Sequence, residues 1–138
     1  MKDIKTGIRK VFPIPEDVEA VGSEIVDSAY KVHRRLGPGL LEKIYEACLQ
    51  HELQKRGLKV ERQIPIPIKY DNLTFDEGLV VDLIVENKVV IELKAVDKMN
   101  PVWKAQLLSH LKLTKLRLGF LINFNTINIG KGINRLVL

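Results

Sequence analysis

Two apolar runs separated by a three-residue polar turn constrain the fold of this chain more than any other feature. The first run, residues 80–85, reads V-V-D-L-I-V, and the second, residues 89–96, reads V-V-I-E-L-K-A-V. The turn between them is Glu86-Asn87-Lys88. Short apolar runs rich in Val and Ile and bounded by a polar turn predict strands, and the short connection folds these two against each other as a hairpin.

Each of these strands carries charge in its middle. Side chains alternate along a strand, so Glu92 and Lys94 share one face with Val90 and Val96. A solvated edge would not need those valines, and a plain core would not accept the charges. Asp82 interrupts the other run in the same way. In register, the hairpin is predicted to place Asp82 beside Glu92.

Two carboxylates on neighbouring strands form a hard oxygen site suited to Mg²⁺ or Mn²⁺. Lys94, two residues after Glu92, could orient or deprotonate an attacking water and offset the charge of a phosphate. The structural alternative is a buried ion pair of Lys94 with Glu92 or Asp82. Because desolvation makes such pairs weak devices for stability, the sequence favours a functional site.

The rest of the chain predicts one α/β domain, residues 16–138, after an N-terminal arm, residues 1–15. Helices and strands are expected in the order α-α-β-β-β-α-β-β, which indicates a mixed β-sheet flanked by helices. The predicted elements are helices at 16–36, 40–56 and 101–114 and strands at 58–70, 73–85, 89–96, 117–124 and 133–138. Prolines 65 and 67 place the first strand at an edge or a bulge.

Two further polar residues fall on predicted helices. Glu42 lies within the apolar stripe that includes Leu49 and Leu53, which favours a carboxylate turned inward, near the carboxylate pair, over a plain charge at a helix N-terminus. Gln106 shares a helix face with His110, four residues later. Gln106 could orient water or a phosphate, or it could be a satisfied polar group at the boundary of the sheet.

The cysteine count and the N-terminal sequence predict the compartment in which the protein is found. The chain has one cysteine, which excludes an internal disulfide and favours a reducing compartment. Its lysine-bearing N-terminus has no apolar leader, and no apolar run approaches a membrane span, so a cytoplasmic location without membrane contact is expected. Cys48 reads as a small core residue rather than a nucleophile. His33 reads as a satisfied core histidine, with support of Glu42 as the alternative.

Charge is distributed unevenly along the chain. Residues 1–97 contain 15 Lys and Arg against 17 Asp and Glu, whereas residues 98–138 contain seven Lys and Arg and no acid. Such a segment suits a polyanion such as DNA or RNA, although a solvated basic surface is the alternative. Lys98, Lys104, Lys112, Lys115 and Arg117 are expected to gather near the third predicted helix.

Taken together, several of these residues resemble a known family. The stretch from Gly39 to Tyr45 reads G-L-L-E-K-I-Y and matches the motif of the GxxExxY proteins, which belong to the PD-(D/E)XK nuclease superfamily. The resemblance covers residues 16–136 and continues through short segments of the chain. These segments are Gly37-Pro38-Gly39, Asp76-Glu77-Gly78, Asp82, Glu92-Leu93-Lys94-Ala95-Val96, Gln106-Leu107-Leu108 and the strand from Leu118 to Phe124.

The resemblance implies a restriction-endonuclease-like α/β fold and metal-dependent phosphodiester hydrolysis. It implies metal ligation by Asp82 and Glu92, a helical acid at Glu42 that completes the ligand set, water activation by Lys94 and a polar role for Gln106. Relatives often have an arginine where this chain has Val80 and a tyrosine where it has His110.

Two hypotheses follow. The first is a Mg²⁺- or Mn²⁺-dependent nuclease acting on DNA or RNA, for which a homodimer is left open. The second is a non-catalytic domain that keeps the fold and binds nucleic acid or protein.

Overall fold

The computed structural model describes residues 12–138, so residues 1–11 of the predicted arm lie outside the described residues. Two helices come first, then three strands, a third helix and two strands separated by a helical turn, which confirms the predicted α/β order. The elements are α1 (Glu16–Leu36), α2 (Glu42–Lys55), β1 (Val60–Tyr70), β2 (Leu73–Val85), β3 (Val89–Lys94), α3 (Val102–Thr114), β4 (Leu118–Asn123), α4 (Ile129–Gly132) and β5 (Ile133–Val137).

The strands form one mixed sheet in the order β1-β2-β3-β4-β5. All neighbouring strands are antiparallel except β3 and β4, which are parallel. A parallel pair needs a long crossover connection, and α3 provides it. Strand β1 lies at an edge, and its register with β2 shifts around Pro67, as the two prolines predicted.

Helices cover the sheet on both faces. On one face, α1 and α2 bury a core that includes Ile25, Tyr45 and Ile91. On the other face, α3 buries a smaller core around Leu107 and Leu111. No helix in the described range is both long enough and apolar enough to span a membrane.

The paired strands β1 and β2 form a two-stranded ribbon, and partway along β2 the side chains that faced one side of the sheet come to face the other. Leu83 and Val85 pack in the core under α1 and α2, whereas Leu79 and Val81 pack in the core under α3. Strict alternation would keep these four odd-numbered residues on one face. The exchange therefore falls at Asp82, and it brings the outer half of the ribbon onto the α3 side.

Tyr45 ties the loop between α1 and α2 to the core. Its hydroxyl donates to the Gly37 carbonyl at 2.6 Å and accepts from the Leu40 amide at 3.1 Å. Its buried ring stacks on Phe124 with 4.7 Å between the ring centroids. Gly37 has φ 68°, in the left-handed region that glycine enters without strain. The start of α2, which carries Glu42, is thus held against the sheet.

We expect Tyr45→Phe to lower the free energy of unfolding by about 1–3 kcal/mol, because two backbone groups lose their partner. Urea denaturation followed by circular dichroism measures this loss. Tyr70→Phe is the matched control, because Tyr70 is 69% exposed. Equal midpoints for the two variants would contradict a structural role for the Tyr45 hydroxyl.

Candidate active site

The polar centre lies where β2 leaves β3. The two strands pair as far as Leu83 opposite Ile91, and one further residue in this register sets Asp82 opposite Glu92. The ladder ends there, and the Asp82 Oδ2 atom accepts a hydrogen bond from the Leu93 amide at 2.8 Å. A carboxylate thus takes the place of a strand carbonyl, so the buried Leu93 amide keeps a hydrogen-bond partner.

Glu92 and Lys94 both face α3, because they alternate with Ile91 and Leu93, which pack under α1 and α2. The Lys94 ammonium lies over the Trp103 ring, 4.5 Å from its centroid, a cation–π geometry. Within residues 12–138, Lys94 forms no salt bridge with Asp82 or Glu92. The buried ion pair that was the structural alternative is therefore not formed in this part of the chain.

The Glu92 carboxylate is mostly buried, with its side chain 12% exposed, and its Oε1 atom lies 2.8 Å from His110 Nδ1 on α3. Burial raises the pKa of Glu92 to about 7, because the charged form loses hydration. The hydrogen bond with His110 opposes this rise in pKa, and the nearby Asp82 charge reinforces it. Ionisation of both carboxylates is therefore unfavourable, because each negative charge repels the other where little water is present to screen them.

Glu42 begins α2 and is exposed at the rim of this centre, so the stripe formed by Leu49 and Leu53 does not enclose it. Partial burial raises its pKa, the Asp82 charge adds to that rise, and Lys94 opposes it. The helical acid is therefore within electrostatic range of both Asp82 and Lys94. Glu42 is the first residue of α2, and the buried residues of this helix begin only at Tyr45. The expected inward carboxylate is therefore exposed.

The buried acid of α2 closest to this centre in the sequence is Glu46, one turn after Glu42, with 6% exposure; the other buried acid of the helix, Glu52, pairs with Lys31. It accepts a hydrogen bond from Gln63 at 2.7 Å and lies 3.6 Å from the Arg62 guanidinium. Sequence reasoning missed Glu46, His110 as the partner of Glu92, and Gln63. The spacing of Glu46 from Glu42 and of His110 from Gln106, four residues in each case, was the available signal.

Within the described residues, none of the remaining residues singled out from the sequence forms a hydrogen bond with Asp82, Glu92 or Lys94. Gln106 is exposed on α3, one turn before His110, and forms no side-chain hydrogen bond with another described residue. His33 is a satisfied core histidine, since its Nε2 atom lies 2.7 Å from the Thr126 carbonyl oxygen. Cys48 packs against the core under α1 and α2.

Two surface grooves, of about 510 and 400 Å³, lie between α1 and α2. Tyr30 and Arg34 line the first, and Leu36 and His51 line the second. Neither is lined by Asp82, so neither is the carboxylate centre.

The donor set fits a divalent cation that keeps much of its water. In the described part of the chain, no three His, Cys, Asp or Glu side chains are arranged to hold a metal ion. Mg²⁺, however, is commonly bound through one or two carboxylates together with waters and substrate phosphates. Asp82 and Glu92 supply two such carboxylates, and their mutual repulsion would be relieved by a bound cation.

A mixed five-stranded sheet flanked by helices, with its polar centre where β2 leaves β3, is a restriction-endonuclease-like α/β fold. A family model of the PD-(D/E)XK nuclease superfamily matches residues 19–136, and the chain belongs to this superfamily. Asp82 and the Glu92-x-Lys94 pair fit the pattern in its name. Comparisons with curated proteins and with solved structures gave no match.

The raised pKa of Glu92 predicts a pH-dependent stability. Between the ordinary value of 4.5 and about 7, the native state binds more protons at Glu92 than the unfolded chain does. The free energy of unfolding therefore falls as pH rises through this window, by at most about 3 kcal/mol from this group. Glu92→Gln removes the charge, so its stability relative to the wild type should rise from pH 4.5 to pH 8.

Urea denaturation at several pH values measures this difference. Glu77→Gln, which neutralises an exposed carboxylate of β2, is the control and should run parallel to the wild type. Parallel curves for Glu92→Gln would show that the Glu92 carboxylate titrates normally.

Proposed function

We propose that this chain is a Mg²⁺- or Mn²⁺-dependent nuclease that hydrolyses phosphodiester bonds of DNA or RNA. The observation that carries the proposal is the adjacent pair Asp82 and Glu92, in which burial, reinforced by the Asp82 charge, raises the pKa of Glu92 to about 7. Asp82 also satisfies the Leu93 amide, but a second carboxylate buried beside it is unfavourable without a cation, and perturbed carboxylates of this kind cluster at functional sites. Its position beside Lys94 supports a catalytic centre.

Asp82 and Glu92 would hold the metal ion, with Glu42 as the predicted third acid at the rim. When bound, a divalent ion polarises the scissile phosphate and lowers the pKa of its water. Lys94 would position the attacking water and offset charge on the phosphate, with Trp103 holding its amine on the α3 side.

His110 and Gln106 act from α3. His110 holds the Glu92 carboxylate on the α3 face through their 2.8 Å contact. Gln106, exposed one turn earlier, would orient water or a phosphate oxygen. His110 stands where relatives often have a tyrosine, so an imidazole takes the place of a phenol hydroxyl at this position.

The lysines of α3 are the proposed phosphate contacts. Lys104 and Lys112 are exposed on the helix and Lys115 ends it; none of them forms a salt bridge within residues 12–138. The arginines of the acid-free segment are engaged elsewhere. Arg135 pairs with Glu19, and Arg117 donates to backbone carbonyls that include Leu138. The nucleic acid would therefore lie along α3.

Two narrower assignments belong to the same proposal. The G-x-x-E-x-x-Y stretch, in which Glu42 faces the carboxylate centre and Tyr45 anchors the preceding loop, supports membership of the GxxExxY group. The single cysteine favours a reducing, cytoplasmic location.

We expect Asp82→Asn to weaken Mn²⁺ binding more than tenfold and to abolish cleavage, because it removes one of two charged ligands. Lys94→Ala should lower the cleavage rate by about 100-fold or more while keeping most nucleic-acid binding. Isothermal titration with Mn²⁺ and cleavage of a panel of DNA and RNA substrates measure both effects.

Asp76→Asn, which changes an exposed aspartate of the same strand, is the control for Asp82→Asn. Cleavage that survives both Asp82→Asn and Lys94→Ala would contradict the mechanism. A wild type that binds nucleic acid but neither Mn²⁺ nor Mg²⁺ would favour the non-catalytic alternative.

Nucleic-acid affinity should fall steeply with salt, because each phosphate contact releases counterions. The double change Lys112→Glu and Lys115→Glu should reduce the slope of log affinity against log salt by about 1.4–1.8. Fluorescence anisotropy with labelled oligonucleotides from low to high salt measures the slope.

The control is Lys131→Glu, which reverses a charge of the same acid-free segment on α4, an element that contacts α1. It should leave the slope unchanged. Equal effects of this control and of Lys112→Glu alone would place the contact surface away from α3.

A further inference from the structure

Gln63 has a backbone conformation that its residue type rarely adopts. It lies in β1 between Arg62 and Ile64, which pair with Leu83 and Val81, and it has φ 52°. For a long side chain without a local polar anchor, the left-handed region is uncommon and marks a conformation held by its surroundings. Since Asp82 lies opposite Gln63 in this register, both residues fall where the β1–β2 ribbon exchanges its faces.

The side-chain amide of Gln63 lies between two carboxylates. Its Nε2 atom donates to Glu46 Oε1 at 2.7 Å and to Asp82 Oδ1 at 3.4 Å. An amide nitrogen carries two hydrogens and a carboxylate only accepts, so the nitrogen, and not the oxygen, must face this pair. The two contacts use both hydrogens of the amide.

Glu46 is a firm anchor for that amide. It is 6% exposed on α2, and the Arg62 guanidinium lies 3.6 Å away. Gln63 itself is exposed, so its orientation depends on these polar contacts and not on enclosure by apolar side chains. The anchor thus ties α2 through Gln63 to Asp82.

Asp82 is consequently held at both oxygens. The Leu93 amide donates to Oδ2 at 2.8 Å, and Gln63 donates to Oδ1. Two donors on opposite oxygens limit rotation of the carboxylate and leave the remaining lone pairs for a cation. Groups that orient a metal ligand in this way commonly change metal affinity 10-fold to 100-fold when they are removed.

We propose that Gln63 is a positioning residue: its left-handed backbone turns the amide toward Asp82, and Glu46 fixes the amide so that Asp82 keeps one orientation. The effect on Asp82 stands on the contacts alone. The effect on metal binding and cleavage rests on the proposed nuclease function.

Gln63→Gly tests the proposal, because glycine adopts this φ freely and the change removes the side chain that carries the amide. Asp71→Gly is the matched control: Asp71 also has φ 52° but lies in the turn between β1 and β2. Glu46→Ala removes the anchor and keeps Gln63. Native-state hydrogen exchange of the Leu93 amide, with the amides of Val89 and Ile91 as internal references, reports on Asp82 without metal or substrate.

Gln63→Gly and Glu46→Ala should each speed Leu93 exchange severalfold relative to those references. Both should raise the Kd for Mn²⁺ about tenfold. Cleavage by these variants should fall at limiting Mn²⁺, recover at saturating Mn²⁺ and show an unchanged KM for nucleic acid. The double variant of Gln63→Gly and Glu46→Ala should show the same exchange rate and Mn²⁺ affinity as each single variant, since both changes act through one contact. Asp71→Gly should match the wild type.

The outcomes separate the two ideas. A wild type that binds Mn²⁺ and cleaves, together with a Gln63→Gly variant unchanged in Leu93 exchange and Mn²⁺ affinity, overturns the positioning role. Faster Leu93 exchange in Gln63→Gly supports that role even if the wild type neither binds Mn²⁺ nor cleaves, a result that would overturn the nuclease proposal alone.

Discussion

A hydrogen bond from the Leu93 amide to the Asp82 carboxylate stands where a rung of the sheet would otherwise be. It lets β2 leave β3 after the Leu83–Ile91 pair without leaving a buried amide unsatisfied, a loss that would cost about as much as a whole hydrogen bond. The β1–β2 ribbon exchanges faces at the same residue. The divergence of the strands, the turn of the ribbon onto the α3 side and the placement of a carboxylate beside Glu92 are therefore consequences of one local arrangement.

The charges of Asp82, Glu92 and Lys94 oppose folding, because their contacts with neighbouring side chains do not neutralise them fully. Glu92 is mostly buried against His110, and its pKa is raised to about 7 by burial and by Asp82. Lys94 lies on the Trp103 ring and not in an ion pair with either acid. A domain of this size has only about 5–15 kcal/mol of net stability, so a centre of this kind is a considerable burden. The cores on the two faces of the sheet offset it, and a ligand that binds only the native state would offset it further.

Much of the fold was predictable because it depends on local periodicity. The apolar spacing in α1 and the polar turns around β2 predicted both elements with the bounds that the structure has, Glu16–Leu36 and Leu73–Val85. The short helix α4 was not predicted, since two glycines in four residues indicate a turn. Of the candidate site, Asp82, Glu92 and Lys94 could be inferred because a charge in the middle of an apolar strand is unusual. Gln63 could not, because nothing in its local pattern separates it from an ordinary surface residue, and the signal for Glu46 was its four-residue spacing from Glu42.

The sequence by itself determined which side chains share a face. Alternation along β3 put Glu92 with Lys94, and the three-residue turn after Val85 set β2 against β3. Only the tertiary structure decided what that face meets: His110 arrives from a helix 18 residues later than Glu92, and Gln63 reaches Asp82 from a strand 19 residues earlier. The left-handed backbone of Gln63 was also decided by the tertiary structure, because a glutamine inside a strand adopts this conformation where its surroundings hold it. Alternation is a property of neighbouring residues, whereas these contacts depend on how the ribbon, α2 and α3 assemble.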